Sequence, residues 1–194
     1  MNKNILLCGV GGQGTVLASK LLAGASMRKG LSVMSAETIG MAQKGGSVFS
    51  HLRIGDHLHA PMLAPGTADV IIGFEPAEAV RMLSFLKEGG TVVVNSAPVV
   101  PVNAVLKKST YHGGEMIDYL RANVAKVVVV DGDAACAALG SSKVLNMVLL
   151  GAAFESGELP VTLEEITAVM KERVKPRFFD LNCKALAYYA ANRK

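Results

Sequence analysis

Glycines 9, 11, 12 and 14, with Gln13 among them in the run GVGGQG, are the first residues whose types and spacing could do chemistry. Glycines permit tight turning and close backbone approach, and a helix that follows them offers free N–H groups to an anion. Counted from Gly9, the glycines at 9, 11 and 14 fit G-x-G-x-x-G, and Glu37 falls where an acidic residue would meet a ribose. The same spacing serves a purely structural turn or a loop facing a partner, so all three uses stay open. Gln13 could donate to an anion, a carbonyl or a neighbouring subunit.

A second candidate lies in AQKGGSVFSHLRIG, residues 42–55, where Gln43 and Lys44 precede Gly45, Gly46 and Ser47. A lysine beside flexible glycines can reach phosphate or carboxylate, but in a P-loop the glycines precede the lysine and Ser or Thr follows it directly. A P-loop kinase or nucleotidase is therefore disfavoured. Period-two alternation puts Phe49, His51 and Arg53 on one face of the next strand, a set that could meet a partner chain or belong to an ordinary edge strand. His51, His57 and His59 come without a ligand motif, so no metal is expected on this chain. Cys8 reads as a small core residue, because a nucleophile would need a positioned base. Asn95 and Asp131 each follow a strong strand, at the carboxyl ends where open α/β sheets place ligand crevices. For both, a capping role is the alternative.

Short apolar runs alternating with helical stretches must position these groups. Strands are predicted over 4–10, 31–36, 47–54, 68–74, 91–95 and 126–130, the second as a parallel neighbour completing a βαβ start. The β-branched run Lys126 to Val130 reads as a parallel strand covered on both faces. Helices are predicted over 15–28, from Pro76 to Lys87, and over 115–121, 142–154, 163–173 and 178–191, with Thr162 as a cap before Glu165. The stretch 96–112 reads as a surface loop with a short strand near Tyr111. The fold class is thus α/β, a Rossmann-like three-layer fold with a mostly parallel sheet and a helical C-terminal third, in a single domain over 1–194.

Composition narrows the partners. With 51% apolar and 19% charged residues in 194, the chain is not disordered, and no apolar run approaches the roughly 18 residues of a membrane span. The net charge of +4 is scattered, which does not argue for nucleic acid. Three widely spaced cysteines offer no disulfide framework and no CxxC pair, which suits a reducing cytoplasm. The first residues meet glycines at once without a cleavage signature, so export is not expected.

Taken together, GVGGQG at 9–14 and GMAQKGGSVFSHLRIG at 40–55 resemble the beta subunit of indolepyruvate ferredoxin oxidoreductase, which is similar to the gamma part of pyruvate and other 2-oxoacid ferredoxin oxidoreductases. The resemblance continues through residues 68–96, the Tyr111 region, 127–152 and Asn182 with its aromatic helix. It implies oxidative decarboxylation of an aryl 2-oxoacid with coenzyme A as cosubstrate, giving an acyl-CoA, and electron transfer to ferredoxin. Thiamine diphosphate, magnesium and iron–sulfur clusters are implied on a large alpha partner, and no cofactor on this chain. The resemblance makes Gly9, Gly11, Gly12, Gln13 and Gly14 the turn, and Gln43, Lys44, Gly45, Gly46 and Ser47 the loop touching the partner or its active site. Lys44 departs from the arginine frequent there, trading a bidentate fork for a point charge. A homodimer in isolation is left open, as are a freestanding NAD-binding dehydrogenase using Gly9, Gly11, Gly14 and Glu37, and a noncatalytic binding module.

Overall fold

The computed structural model describes residues 2–38, 45–100 and 111–192. A six-stranded sheet runs through it in the order β2-β3-β1-β4-β5-β6. The strands are β1 (Lys3–Val10), β2 (Val33–Glu37), β3 (Ser47–Ile54), β4 (Ala68–Gly73), β5 (Leu86–Asn95) and β6 (Lys126–Val130). The helices are α1 (Thr15–Arg28), α2 (Pro76–Arg81), α3 (Gly113–Asn123), α4 (Gly132–Leu139), α5 (Leu145–Glu155), α6 (Leu163–Arg173) and α7 (Pro176–Asn192). Single 3-10 turns, Leu83–Phe85 and Ser142–Val144, precede β5 and α5. β1, β4, β5 and β6 pair in parallel, while β3 is antiparallel to both of its neighbours, so the sheet is mixed but mostly parallel, as expected.

Alternation builds the three layers. Ile5 and Leu7, Val70 and Ile72, and Val93 face one side, where they pack with α1, α5, α6 and α7. Leu6 and Cys8, Ile71, and Val92 and Val94 face the other, under Ala79 of α2 and Ile117 and Leu120 of α3. The central strands thus read as continuous apolar runs because both faces are covered.

Several expectations need correction. The strand after α1 runs parallel to β1, but β3 is interposed, so no adjacent βαβ pair forms. β3 is consequently a central strand: His51 is buried and faces neither a partner nor solvent. The helix from Pro76 stops at Arg81, because Leu86 already pairs with Ala68 across a register shift and belongs to β5. β6 is an edge strand with Val127, Val128 and Val129 only half-buried, and the helix that follows it, α4, was not anticipated. Its Gly, Ala and Cys content gives no apolar stripe for a periodic signal. Tyr111 lies in no strand, and residues 101–110 fall outside the described residues.

His51 carries a pH consequence. Its Nδ1 accepts the Leu63 N–H at 3.2 Å, and its ring lies edge-on to Phe49 and Phe85. Nε2 therefore bears the proton of a neutral ring and has no partner among the described residues. Burial lowers the pKa of this imidazole. A lowered folded-state value means stability is complete above the unfolded value of about 6.5 and is lost as pH falls below it. Denaturant melts between pH about 7.5 and about 5 should show this loss. They should show a flatter dependence in His51→Gln, which keeps an acceptor for Leu63; an unchanged slope would clear His51 of the effect.

Candidate functional site

The carboxyl ends of β1, β4, β5 and β6 meet the point where the chain order reverses, between β1 and β4. Such switch points are where open α/β sheets form crevices. The glycine turn lies on one side of it. Gly9 is still in β1, where an added Cβ would stand 2.6 Å from Phe74 Cβ. Gly14 caps α1 at φ 86° with no side-chain bond, and an added Cβ there would stand 2.8 Å from Asn146 Nδ2.

Gln13 bridges the two strands at this point. Its Oε1 accepts the Val10 N–H at 2.7 Å and its Nε2 donates to the Phe74 carbonyl at 3.0 Å. Asn95 donates to the same carbonyl at 3.1 Å, while its Oδ1 accepts the Gly132 N–H at 3.1 Å and the Ala97 N–H at 3.3 Å. Two carboxamides thus stitch the ends of β1, β4 and β5 to the start of α4. Asp131 caps that helix by accepting the Ala134 N–H at 2.9 Å.

The second loop joins the first through its backbone, since the Gly11 N–H donates to the Gly46 carbonyl at 2.9 Å. Ser47 Oγ donates to Glu78 Oε2 at 2.5 Å, which ties the start of β3 to α2. Gln43 and Lys44 lie outside the described residues. Glu37 ends β2 opposite Ser50, which itself stands opposite Leu7. With β3 between them, Glu37 is two strand spacings, roughly 10 Å, from β1. The structure therefore gathers Gly9, Gly11, Gln13, Gly14, Gly46, Ser47 and Asn95 around one lip and sets Glu37 apart.

Two residues at the lip escaped sequence reasoning. Glu75 caps α2 by accepting the Glu78 N–H at 3.0 Å, and Pro76 takes the first helical position. Glu75 also accepts the Tyr111 hydroxyl and, at 3.4 Å, the Val99 N–H. Glu78 is braced by Arg81 Nη1 at 2.8 Å. Both glutamates are buried. The visible signal was FEPAE directly after a strong strand: a capping acid, a proline and a first-turn acid. Their charges add to burial, the larger cause, in pushing the Cys8 thiol far up, so Cys8 is an inert core residue.

The class these features define is a Rossmann-like α/β domain whose switch point is bordered by glycine backbone, carboxamides and two buried carboxylates. Among the described residues, no group of His, Cys, Asp or Glu is placed to hold a metal ion. The sequence profile of the pyruvate ferredoxin/flavodoxin oxidoreductase family matches residues 4–189, and the chain belongs to that family. It is 40% identical to the Archaeoglobus fulgidus indolepyruvate oxidoreductase subunit IorB, over 96% of this chain and 92% of that protein. From Thermococcus kodakarensis, the corresponding IorB is 35% identical over 94% of this chain and 91% of its own length. The common gamma subunit of the pyruvate/ketoisovalerate oxidoreductases from that organism is 28% identical, over 91% and 89%. The crystal structure of a pyruvate oxidoreductase subunit from Thermotoga maritima shares the fold at TM-score 0.71, with 24% identity over 95% of this chain and 93% of that one.

Proposed function

We propose that this chain is the small subunit of an indolepyruvate, or more broadly aryl 2-oxoacid, ferredoxin oxidoreductase, active only with a large cofactor-bearing partner. The observation that carries the reading is the contrast within one organism: identity is 35% to the indolepyruvate subunit and 28% to the pyruvate/ketoisovalerate gamma subunit. In the overall reaction the carboxylate leaves as carbon dioxide, the acyl group passes to the coenzyme A thiol, and the electron pair goes to ferredoxin. Thiamine diphosphate, magnesium and iron–sulfur clusters on the partner would supply the decarboxylation and the electron path.

This chain's own residues would assemble and shape the site. The glycine turn (Gly9, Gly11, Gly12, Gln13, Gly14) and Asn95 would hold the lip, and the loop of Gln43, Lys44, Gly45, Gly46 and Ser47 would touch the partner or its active site. The reading takes residues 1–194 as one domain working in the cytoplasm.

A freestanding NAD dehydrogenase fits less well. The Gln13 carboxamide is already bonded between Val10 and Phe74 at the switch point, and Glu37 lies beyond β3. The test is reconstitution: the purified chain alone is expected to give no thiamine-dependent acceptor reduction with indolepyruvate, and addition of the large subunit to give turnover. Turnover by the chain alone, or micromolar NAD binding by calorimetry, would overturn the reading. In the saturated complex, Lys44→Ala separates a site role, which loses turnover, from mere docking, which loses only affinity.

A further inference from the structure

Away from the crevice, a groove of about 310 Å³ opens between the first turn of α1, the 3-10 turn before α5 and the α6–α7 junction. Its floor and walls are largely apolar, including Val174 and Leu181. Leu17 and Phe178 stand on it 37% and 39% exposed, so the groove brings two exposed apolar side chains together on one apolar floor. Lys143, Arg173 and Lys175 line the groove, and the Arg177 guanidinium lies 4.6 Å from the centroid of the Phe178 ring.

Of these cations Arg173 closes α6, while Lys143, Lys175 and Arg177 lie at or beside helix starts. Helix N-termini carry partial positive charge and favour acids in the first turn. α6 obeys the rule, with Glu164 and Glu165 in its first turn and Lys171 and Arg173 in its last. At the groove the rule is broken: α1, the 3-10 turn, α5 and α7 have no acid in their first turns, while Lys143 lies in the 3-10 turn and Lys175 and Arg177 flank the start of α7. Among the described residues outside the groove, Lys3, Arg28, Lys29, Arg81 and Lys87 have a carboxylate partner, while Lys20, Arg53, Arg121, Lys126, Lys171 and Lys184 stand without one, dispersed over the surface rather than gathered on one groove. Among the described residues, Lys143, Arg173, Lys175 and Arg177 have none. A surface that is locally unfavourable for the isolated chain and complementary to an anion fits a role in recognition.

The position says which kind of anion. Leu17 is three residues beyond Gly14, and Asn146, just after Val144 of the groove, packs on Gly14. The groove therefore lies beside the starts of α1 and α5, the two helix starts that meet at Gly14 of the lip. Cations around an apolar floor, with an exposed ring and an exposed leucine at the rim, suit a chain segment that alternates acidic and apolar side chains.

We infer that this groove docks an acidic, apolar-anchored segment of the large partner subunit. The inference rests on the reading of the chain as a small subunit. The variant Lys143→Glu/Lys175→Glu/Arg177→Glu, in the full chain, should bind the large subunit roughly tenfold or more weakly, with a flatter salt dependence. Its thermal midpoint should stay within a few degrees of wild type, since acids suit the starts of α5 and α7 while the one at 175 also follows the end of α6. Phe178→Ala should speed dissociation by roughly tenfold or more.

Unaltered affinity and salt dependence in the triple variant, with wild-type assembly intact, would overturn the inference and leave the functional reading standing. So would variants that change only self-association of this chain. So would an inorganic pyrophosphate site lost from the triple variant while assembly is kept, which would assign the groove to a small anion. If the wild-type chain does not bind the large subunit at all, the functional reading fails and the inference with it.

Discussion

Gly9→Ala is expected to destabilise the chain by about 3–5 kcal/mol, the sum of an overpacked β1–β4 contact and two disrupted hydrogen bonds. For a chain of this size that lowers the thermal midpoint by roughly 6–20 °C. The new methyl carbon would stand 2.6 Å from Phe74 Cβ and 2.7 Å from Gln13 Oε1. Phe74 Cβ is fixed to the backbone of the chain leaving β4 and cannot step aside cheaply. The Gln13 carboxamide can, but only by releasing Val10 and the Phe74 carbonyl. A double-mutant cycle isolates that second term: Gly9→Ala should cost less in a Gln13→Ala background, because one of the two clashes is already gone. Gly12 is the control. Its φ of 104° disfavours a side chain, but an added Cβ meets nothing within 4 Å, so Gly12→Ala should cost about 1–2 kcal/mol by backbone strain alone. Equal costs at 9 and 12, with no coupling to Gln13, would mean that close approach to β4 is not what requires glycine at the start of the turn.

The glycines show how much of the site was legible. Their spacing announced a strand–turn–helix unit, and β1, α1, β3, β6 and α6 fall where local signals put them, within a residue at each end. The capping box at Thr162 and Glu165 is formed in full. Strand order could not be read the same way, because it depends on which apolar faces meet after collapse. Nothing within Leu31 to Ala36 says that β3 will slip between β2 and β1. That one insertion moves Glu37 away from the glycine turn and turns the predicted partner face of His51 into core. The roles of Gln13 and Asn95 were hidden for a related reason: their partners, Phe74 and Gly132, are 61 and 37 residues away in sequence. The FEPAE segment was readable as a helix start, but its link to Tyr111 spans 36 residues and ends in the stretch 96–112, whose sequence has no periodic signal. The groove cations, by contrast, are visible in sequence as Lys175 and Arg177 flanking a helix start. Only the fold reveals that Lys143 joins them.

Glu75→Ala is expected to cost about 3–5 kcal/mol, through loss of the α2 cap and the stranding of the Tyr111 hydroxyl and the Val99 N–H. Glu75 is only 2% exposed, so water cannot readily replace it. Glu75→Gln keeps an acceptor oxygen and should cost less, about 1–2 kcal/mol. The two variants also separate charge from shape through Tyr111. Burial first, and then the hydrogen bond and charge of Glu75, hold the Tyr111 hydroxyl above its ordinary pKa. Because the folded value is raised, the stability this phenol contributes is complete below the unfolded value of about 10 and is lost as pH rises beyond it. Melts taken between pH about 9 and about 11.5 should therefore fall steeply in the wild-type chain, less steeply in Glu75→Gln, and least in Tyr111→Phe, which removes the titrating group. Absorbance at alkaline pH should show one phenol that ionises only as the chain unfolds, and that phenol should be missing in Tyr111→Phe. If the three slopes coincide, the Glu75–Tyr111 bond does not pin the connection between β5 and α3. In that case Val99 and Tyr111, the two points that the carboxylate gathers at the lip, owe their positions to packing alone.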